Sequence, residues 1–283
     1  MQIEADTSDR LSRTLKQSSW RLFPHTFAQR ASKGQWIPYR HLVYAARIVA
    51  QAIHEGGARI IINMPPRHGK SQLFSKWLPA WYLDLWPNHD AILTAYGDSL
   101  ASDQGRFVRD AINNSGVCRT RVRQDVSRAS RFMTEHGGGM VTSGVGGPIT
   151  GRGANLLLCD DPYKNIEEAT SATVRRRVVE WFESTFLTRA EPGASVVLTM
   201  TRWNDQDLTA YLTSQPDSPW RVISFSAVAK PDDQLGRAEG EALCSERYDR
   251  AALDAIRRSV GSRVWSAMYQ QEPVPEQGEV FRR

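Results

Sequence analysis

Apolar residues recur at helical spacing through residues 41–54, at Leu42, Ala45, Ala46, Val49 and Ile53, and Gly56-Gly57 follows as a stop. The next stretch, Arg59-Ile60-Ile61-Ile62-Asn63, is a short continuous apolar run, the pattern of a strand buried on both faces. A loop and a helical stretch over residues 71–85 come next. Pro79, which has no amide to donate, predicts a kink in it. Ala91-Ile92-Leu93-Thr94-Ala95 reads as the next strand and residues 99–112 as the next helix. Strands alternating with helices predict an α/β protein with a mostly parallel sheet.

The middle changes character. Phe132-Met133-Thr134-Glu135-His136 and Met140-Val141-Thr142-Ser143 flank three glycines and read as a hairpin. Leu156-Leu157-Leu158-Cys159 is another buried strand, followed by a charged helix over about residues 171–189. Residues 195–200 are a further core strand and residues 221–225 an edge strand. A loop at residues 231–236 leads to two helical stretches, about 250–260 and 263–271, and an extended end over residues 273–283. The pattern divides the chain into an N-terminal arm (1–35), a core (36–212) and a small linker or lid subdomain (213–283).

Composition adds little to this beyond a sign of charge. The 283 residues are 41% hydrophobic and carry a formal net charge of +5, mostly through arginine, which favours a polyanionic partner over a membrane. Mean hydropathy is −0.46, and no apolar run is long enough to cross a bilayer. The acidic, polar N-terminus is unlike a secretory signal, and Cys118, Cys159 and Cys244 are too widely spaced for a zinc motif. An intracellular protein is expected.

The most informative chemistry follows the first strand. Met64-Pro65-Pro66-Arg67-His68-Gly69-Lys70-Ser71 joins it to a helix opening on Gly-Lys-Ser, the context of a phosphate-binding P-loop. Lys70 would neutralise the β- and γ-phosphates of ATP, and the Ser71 hydroxyl would ligate Mg²⁺. The standard pattern begins on a glycine where this chain has Met64, and Pro65 and Pro66 lack amides. The grip therefore rests on the amides of Arg67, His68, Gly69, Lys70 and Ser71 at a helix start. Leu156-Leu157-Leu158-Cys159-Asp160-Asp161 supplies the second half, an apolar strand ending in two acids. Asp160 would hold the water shell of the metal and Asp161 would orient the attacking water. Asp-Asp-Pro is also good turn chemistry, but both halves occur in order, each after its own apolar run.

Pro65-Pro66-Arg67-His68-Gly69-Lys70-Ser71, Gly146-Gly147-Pro148-Ile149-Thr150-Gly151-Arg152-Gly153-Ala154, Asp160-Asp161-Pro162-Tyr163-Lys164-Asn165, Thr201-Arg202-Trp203-Asn204-Asp205-Gln206-Asp207-Leu208 and Tyr269-Gln270-Gln271-Glu272-Pro273 together resemble the large terminases of tailed phages, over roughly residues 36–283. The resemblance implies a P-loop NTPase core of the RecA/ASCE type that hydrolyses ATP. Such a motor drives double-stranded DNA through the portal protein into the procapsid, with a small terminase subunit as partner. It works as a ring, usually a pentamer, in the host cytoplasm and transiently on the portal vertex. Trp36-Ile37-Pro38-Tyr39-Arg40-His41-Leu42 lies where the family recognises adenine, so Tyr39 or His41 would touch the base; a core aromatic beside a helix start accounts for either equally. Thr201 lies in the family's coupling motif and would sense the γ-phosphate, unless it only caps a strand. Arg67, in its own loop, or Arg152, reaching from a neighbouring subunit as the family assigns near that position, would complete the transition state. The family's second acid is often Glu, and Asp161 is one methylene shorter. Members usually continue into a metal-dependent nuclease domain. This sequence stops about where that domain begins, and a motor without nuclease activity is expected.

Arg119, Arg121, Arg123, Arg128 and Arg131, with Arg175-Arg176-Arg177, would suit sequence-independent phosphate contacts, although a solvated basic face explains any one of them. A superfamily-2 helicase or translocase shares the loop, the acid pair and the threonine, but separates strands. A non-enzymatic DNA-binding adaptor would not need Gly-Lys-Ser with Asp-Asp. A small-molecule kinase leaves the arginines and Thr201-Arg202-Trp203 unexplained.

Overall fold

The computed structural model describes residues 19–149 and 151–275. Half of the expected N-terminal arm, Thr150, and the tail from residue 276, where a nuclease domain would begin, lie outside the described residues.

Helices α1 (Pro24–Ala31) and α2 (Arg40–Glu55) lead into β1 (Arg59–Asn63). After the loop, the chain winds as a wide π-type turn over Gln72–Trp77 and continues as α3 (Leu78–Leu85). The irregularity expected at Pro79 is this wide turn: the Leu78 amide reaches back to the Leu73 carbonyl, and proline has no amide with which to restore the α register. Then come β2 (Asp90–Ala95), α4 (Asp98–Asn114), β3 (Val122–Arg128), β4 (Arg131–Thr134), β5 (Gly139–Gly144) and β6 (Ala154–Asp160). The remaining elements are α5 (Ile166–Thr170), α6 (Ala172–Trp181), β7 (Ala190–Met200), α7 (Leu208–Ser214), β8 (Arg221–Ser224) and α8 (Arg250–Val264). Gly261, at φ 78°, breaks α8 between the two helical stretches read from the sequence.

All eight strands form one sheet in the order β3-β4-β5-β2-β6-β7-β1-β8. From β5 to β8 the pairing is parallel; β3 and β4 add an antiparallel edge. The parallel strands are buried on both sides because successive residues enter different cores. Ile60, Ile62, Leu156 and Leu158 pack with α1–α4, whereas Ile61, Leu157 and Cys159 pack with α5–α7. Strand β7 separates β1 from β6, so the loop strand and the acid-bearing strand are not neighbours. The carboxyl ends of all three nevertheless meet at one edge of the sheet, the usual ligand site of an open α/β fold.

Two features differ from the sequence pattern. The arginine-rich stretch before the hairpin is itself strand β3, whose exposed polar residues gave no apolar signal. The sheet also runs past residue 212, since β8 pairs with β1 from Ile60↔Arg221 to Asn63↔Ser224. The chain beyond it builds a small core of its own from Ala227, Leu253 and Trp265.

Candidate nucleotide site

At the end of β1 the loop is held open by two left-handed residues, Arg67 (φ 64°) and Gly69 (φ 95°). Glycine is required at 69 for a second reason. A Cβ there would stand 2.8 Å from a methyl of Leu42, which is buried in α2. Arg67 accepts a conformation that side chains disfavour, as does Asp161 (φ 44°), and both lie in the site.

Lys70 is buried beneath the loop. Its ammonium donates to Asp161 Oδ1 at 2.5 Å and to the Thr201 hydroxyl at 3.3 Å. The Thr201 amide donates to the same carboxylate oxygen at 2.9 Å, and its hydroxyl donates to the Met64 carbonyl at 3.2 Å. The three motifs thus share one hydrogen-bonded knot, which explains why each needs its residue at a strand's carboxyl end. Burial pushes the Asp161 carboxyl above the ordinary carboxylate range, against the pull of Lys70, and Asp160 adds to the rise.

Asp160 faces the other way, into the layer occupied by α4. Its oxygens accept from Gln104 Nε2 at 2.7 Å and from the Thr199 hydroxyl at 2.7 Å. Gln104 was not singled out in the sequence, yet the signal was there. It falls on the buried stripe of α4 with Ala101, Val108 and Ile112, where a polar side chain needs a partner.

The knot opens into a cavity of about 530 Å³ lined by Pro65, Arg67, Lys70, Ser71, Asp161 and Thr201 among others. A second cavity, of about 380 Å³, adjoins it and is lined by Gln35, Trp36, Ile37 and Tyr39. Both are of small-ligand size. Tyr39 lines the second cavity, whereas His41 is fully buried, with its Nε2 2.8 Å from the His68 carbonyl. Gln35 lies one residue before the segment read from the sequence. Arg152 is not brought to this site. It precedes β6 at the amino ends of the strands, where its charge acts on Asp90, the first residue of β2.

Burial lowers both His41 and His68 to about 4, so each is neutral at pH 7. Unfolded histidines titrate near 6.5, so between about 6.5 and 4 the unfolded chain binds more protons and stability falls as pH drops. Each histidine contributes at most about 1.4 kcal/mol per pH unit. The thermal unfolding midpoint is expected to decline steadily from pH 7 to pH 5. A flat midpoint over that range contradicts the neutral assignment.

Among solved structures, the large terminase ATPase domain of Thermus phage P74-26 matches with a TM-score of 0.51 and 17% identity, over 80% of this chain and 93% of that one. The HK97 bacteriophage large terminase matches with a TM-score of 0.52 and 12% identity, over 80% of this chain and 50% of its own. The large terminase of the thermophilic bacteriophage D6E, solved with ATP-gamma-S, matches with a TM-score of 0.46 and 11% identity, over 76% and 47%. The chain spans about half the length of the HK97 and D6E proteins. At such identities the P74-26 and HK97 matches establish the fold. No curated protein sequence matches. The family model "Terminase large subunit, T4likevirus-type, N-terminal" matches residues 61–283, from within β1 through the loop, the acid pair and Thr201. By that match, the chain belongs to the terminase large subunit family, in its N-terminal region.

Proposed function

We propose that this chain hydrolyses ATP and couples the cycle to movement of double-stranded DNA through a portal into a procapsid. The observation that carries the reading is the knot of Lys70, Asp161 and Thr201 at the mouth of a cavity of phosphate-binding build. Lys70 is pre-placed to exchange its carboxylate partner for phosphate oxygens. The freed Asp161, with its raised proton affinity, then orients and deprotonates the attacking water. Thr201 loses a contact when Lys70 moves, and Arg202 beside it donates its amide to Gln271 at 3.1 Å, linking the loop to the C-terminal unit.

Among the described residues no group of three or more His, Cys, Asp or Glu could hold a metal alone. Ser71 and Asp160 fit the sparser set that Mg²⁺ takes when phosphates and water complete its shell. Each Asp160 oxygen accepts one hydrogen bond here, leaving acceptor capacity for a metal-bound water. Bound there, Mg²⁺ would neutralise charge on the β- and γ-phosphates. Adenine would lie against Tyr39, with the Gln35 amide within the same cavity.

For DNA, the hairpin tip is the favoured surface. Arg119, Arg121 and Arg123 are tied to Asp84, the Cys118 carbonyl and Asp125. Arg128 and Arg131 are exposed and sit directly opposite one another across β3 and β4. Like charges in register are unfavourable unless a polyanion lies between them. We propose further that working rings also engage the portal, a small terminase subunit and neighbouring copies of this chain, in the host cytoplasm at the portal vertex. Arg152 would serve a neighbour's site.

The test is ATP hydrolysis with and without duplex DNA, with binding measured over a range of salt. Duplex is expected to stimulate turnover and remain double-stranded. The Arg128→Ala/Arg131→Ala protein is expected to lose about two units of log–log salt slope, about 0.9 for each phosphate contact. Turnover indifferent to DNA, or an unchanged slope, contradicts the reading.

A further inference from the structure

The C-terminal unit touches the phosphate loop through an aromatic contact. The Tyr248 ring stacks on His68, centroids 5.2 Å apart and planes 30° apart. Just before it, the amides of Arg247 and Tyr248 donate to the Cys244 carbonyl at 3.0 and 2.9 Å, closing a turn. The stack and the turn set Arg247 over the loop, where its charge helps to keep His68 neutral.

Arg247 lines both cavities. Gly69 and Gln72 are the other residues the two share, so the arginine stands at the junction between the Lys70 end and the Tyr39 end. It is exposed, and among the described residues its guanidinium has no hydrogen bond or ion pair. Lys70, by contrast, already has its charge matched by Asp161. A polyphosphate entering here needs further cation, and a free guanidinium beside a phosphate loop is the group best shaped to give it.

We propose that Arg247 is a nucleotide ligand of its own subunit, gripping the phosphate nearest the ribose and drawing the C-terminal unit down on the bound molecule. The inference rests on the nucleotide reading above. The junction position excludes a role confined to the γ-phosphate, which belongs to the Lys70 end. The contact is therefore common to ATP and ADP, and product keeps the unit closed until it leaves.

Calorimetric titration of MgADP and of a non-hydrolysable MgATP analogue into wild type, Arg247→Ala and Arg247→Lys tests this. Alanine is expected to weaken both nucleotides by about 10-fold or more, the worth of a charge-assisted hydrogen bond. Lysine is expected to recover part of the loss for both. The unfolding midpoint without nucleotide should not move, because the Arg247 guanidinium bonds to nothing among the described residues and alanine keeps the amide hydrogen bond to Cys244. Unchanged affinities overturn the proposal, as does a loss confined to the ATP analogue. A wild-type protein that binds neither nucleotide overturns the underlying reading, and this one with it.

Discussion

ATP hydrolysis by the Lys70→Ala protein is expected to fall at least about 10²–10³-fold, to the limit of detection, while the protein stays folded. The size follows from losing a preorganised charge aimed at the phosphates, since removal of one oriented donor costs that much. Here the loss is compounded. Lys70 is the cation that matches the Asp161 charge in the knot, so its removal leaves a half-buried carboxylate facing a polyphosphate. Nucleotide binding should weaken together with turnover, which separates this variant from one that damages chemistry alone. The measurement is steady-state phosphate release alongside a binding titration. Near-normal turnover in a folded variant would remove Lys70 from the phosphate site.

The second large effect concerns the arginine that completes the transition state. An arginine finger accelerates phosphoryl transfer roughly 10³–10⁵-fold. Arg67 lines the cavity of Lys70 and is exposed there, so it is available in cis. Arg152 stands before Ala154, whereas Asp160 ends the same strand six residues further on, with Asp161 just after it. At about 3.3 Å per residue this is roughly 20 Å, beyond the reach of any side chain. If Arg152 acts, it acts on another subunit. Rings of Arg152→Ala subunits and rings of Lys70→Ala subunits are each expected to be inactive when assembled on portal-bearing procapsids with DNA. Mixed rings are expected to recover hydrolysis, because an intact Lys70 site can then receive Arg152 from its neighbour. Mixed rings that assemble but stay inactive would assign the role to Arg67.

The elements that carry the chemistry were legible because each is local. Ile60-Ile61-Ile62 and Leu156-Leu157-Leu158 have the short, continuous apolar pattern of strands buried on both faces. Gly69-Lys70-Ser71 and Asp160-Asp161 fall where such strands end. The hairpin around Gly137-Gly138-Gly139, the edge strand at Arg221–Ser224 and the break near Gly261 were likewise marked by residues within a few positions of one another. Strand β3 was not legible, because an exposed edge strand carries no apolar period and its register comes from β4.

What only the tertiary structure decided is which distant residues share a space. No local pattern says that β7 comes between β1 and β6; the resemblance suggested a place for Thr201 near the γ-phosphate, and this strand order brings it to Lys70 and Asp161. The sequence pattern assigned the two acids different roles, but what each one touches was settled by the fold. The alternation along β6 turns Asp160 toward Gln104 on α4, and the left-handed turn at the next residue carries Asp161 to the lysine. Tyr39 and His41 were equivalent as letters. The start of α2 buried one under the loop and left the other lining a cavity. Arg152 and Arg247 differ in the same way: the first has a motif around it and lies at the wrong end of the sheet for its own site, while the second has none and lies over the loop. Local patterns determine which segments form strands, helices and phosphate loops, since those depend on neighbours along the chain. Contacts across the sheet depend on strand order and on packing of the C-terminal unit, which the whole chain settles together.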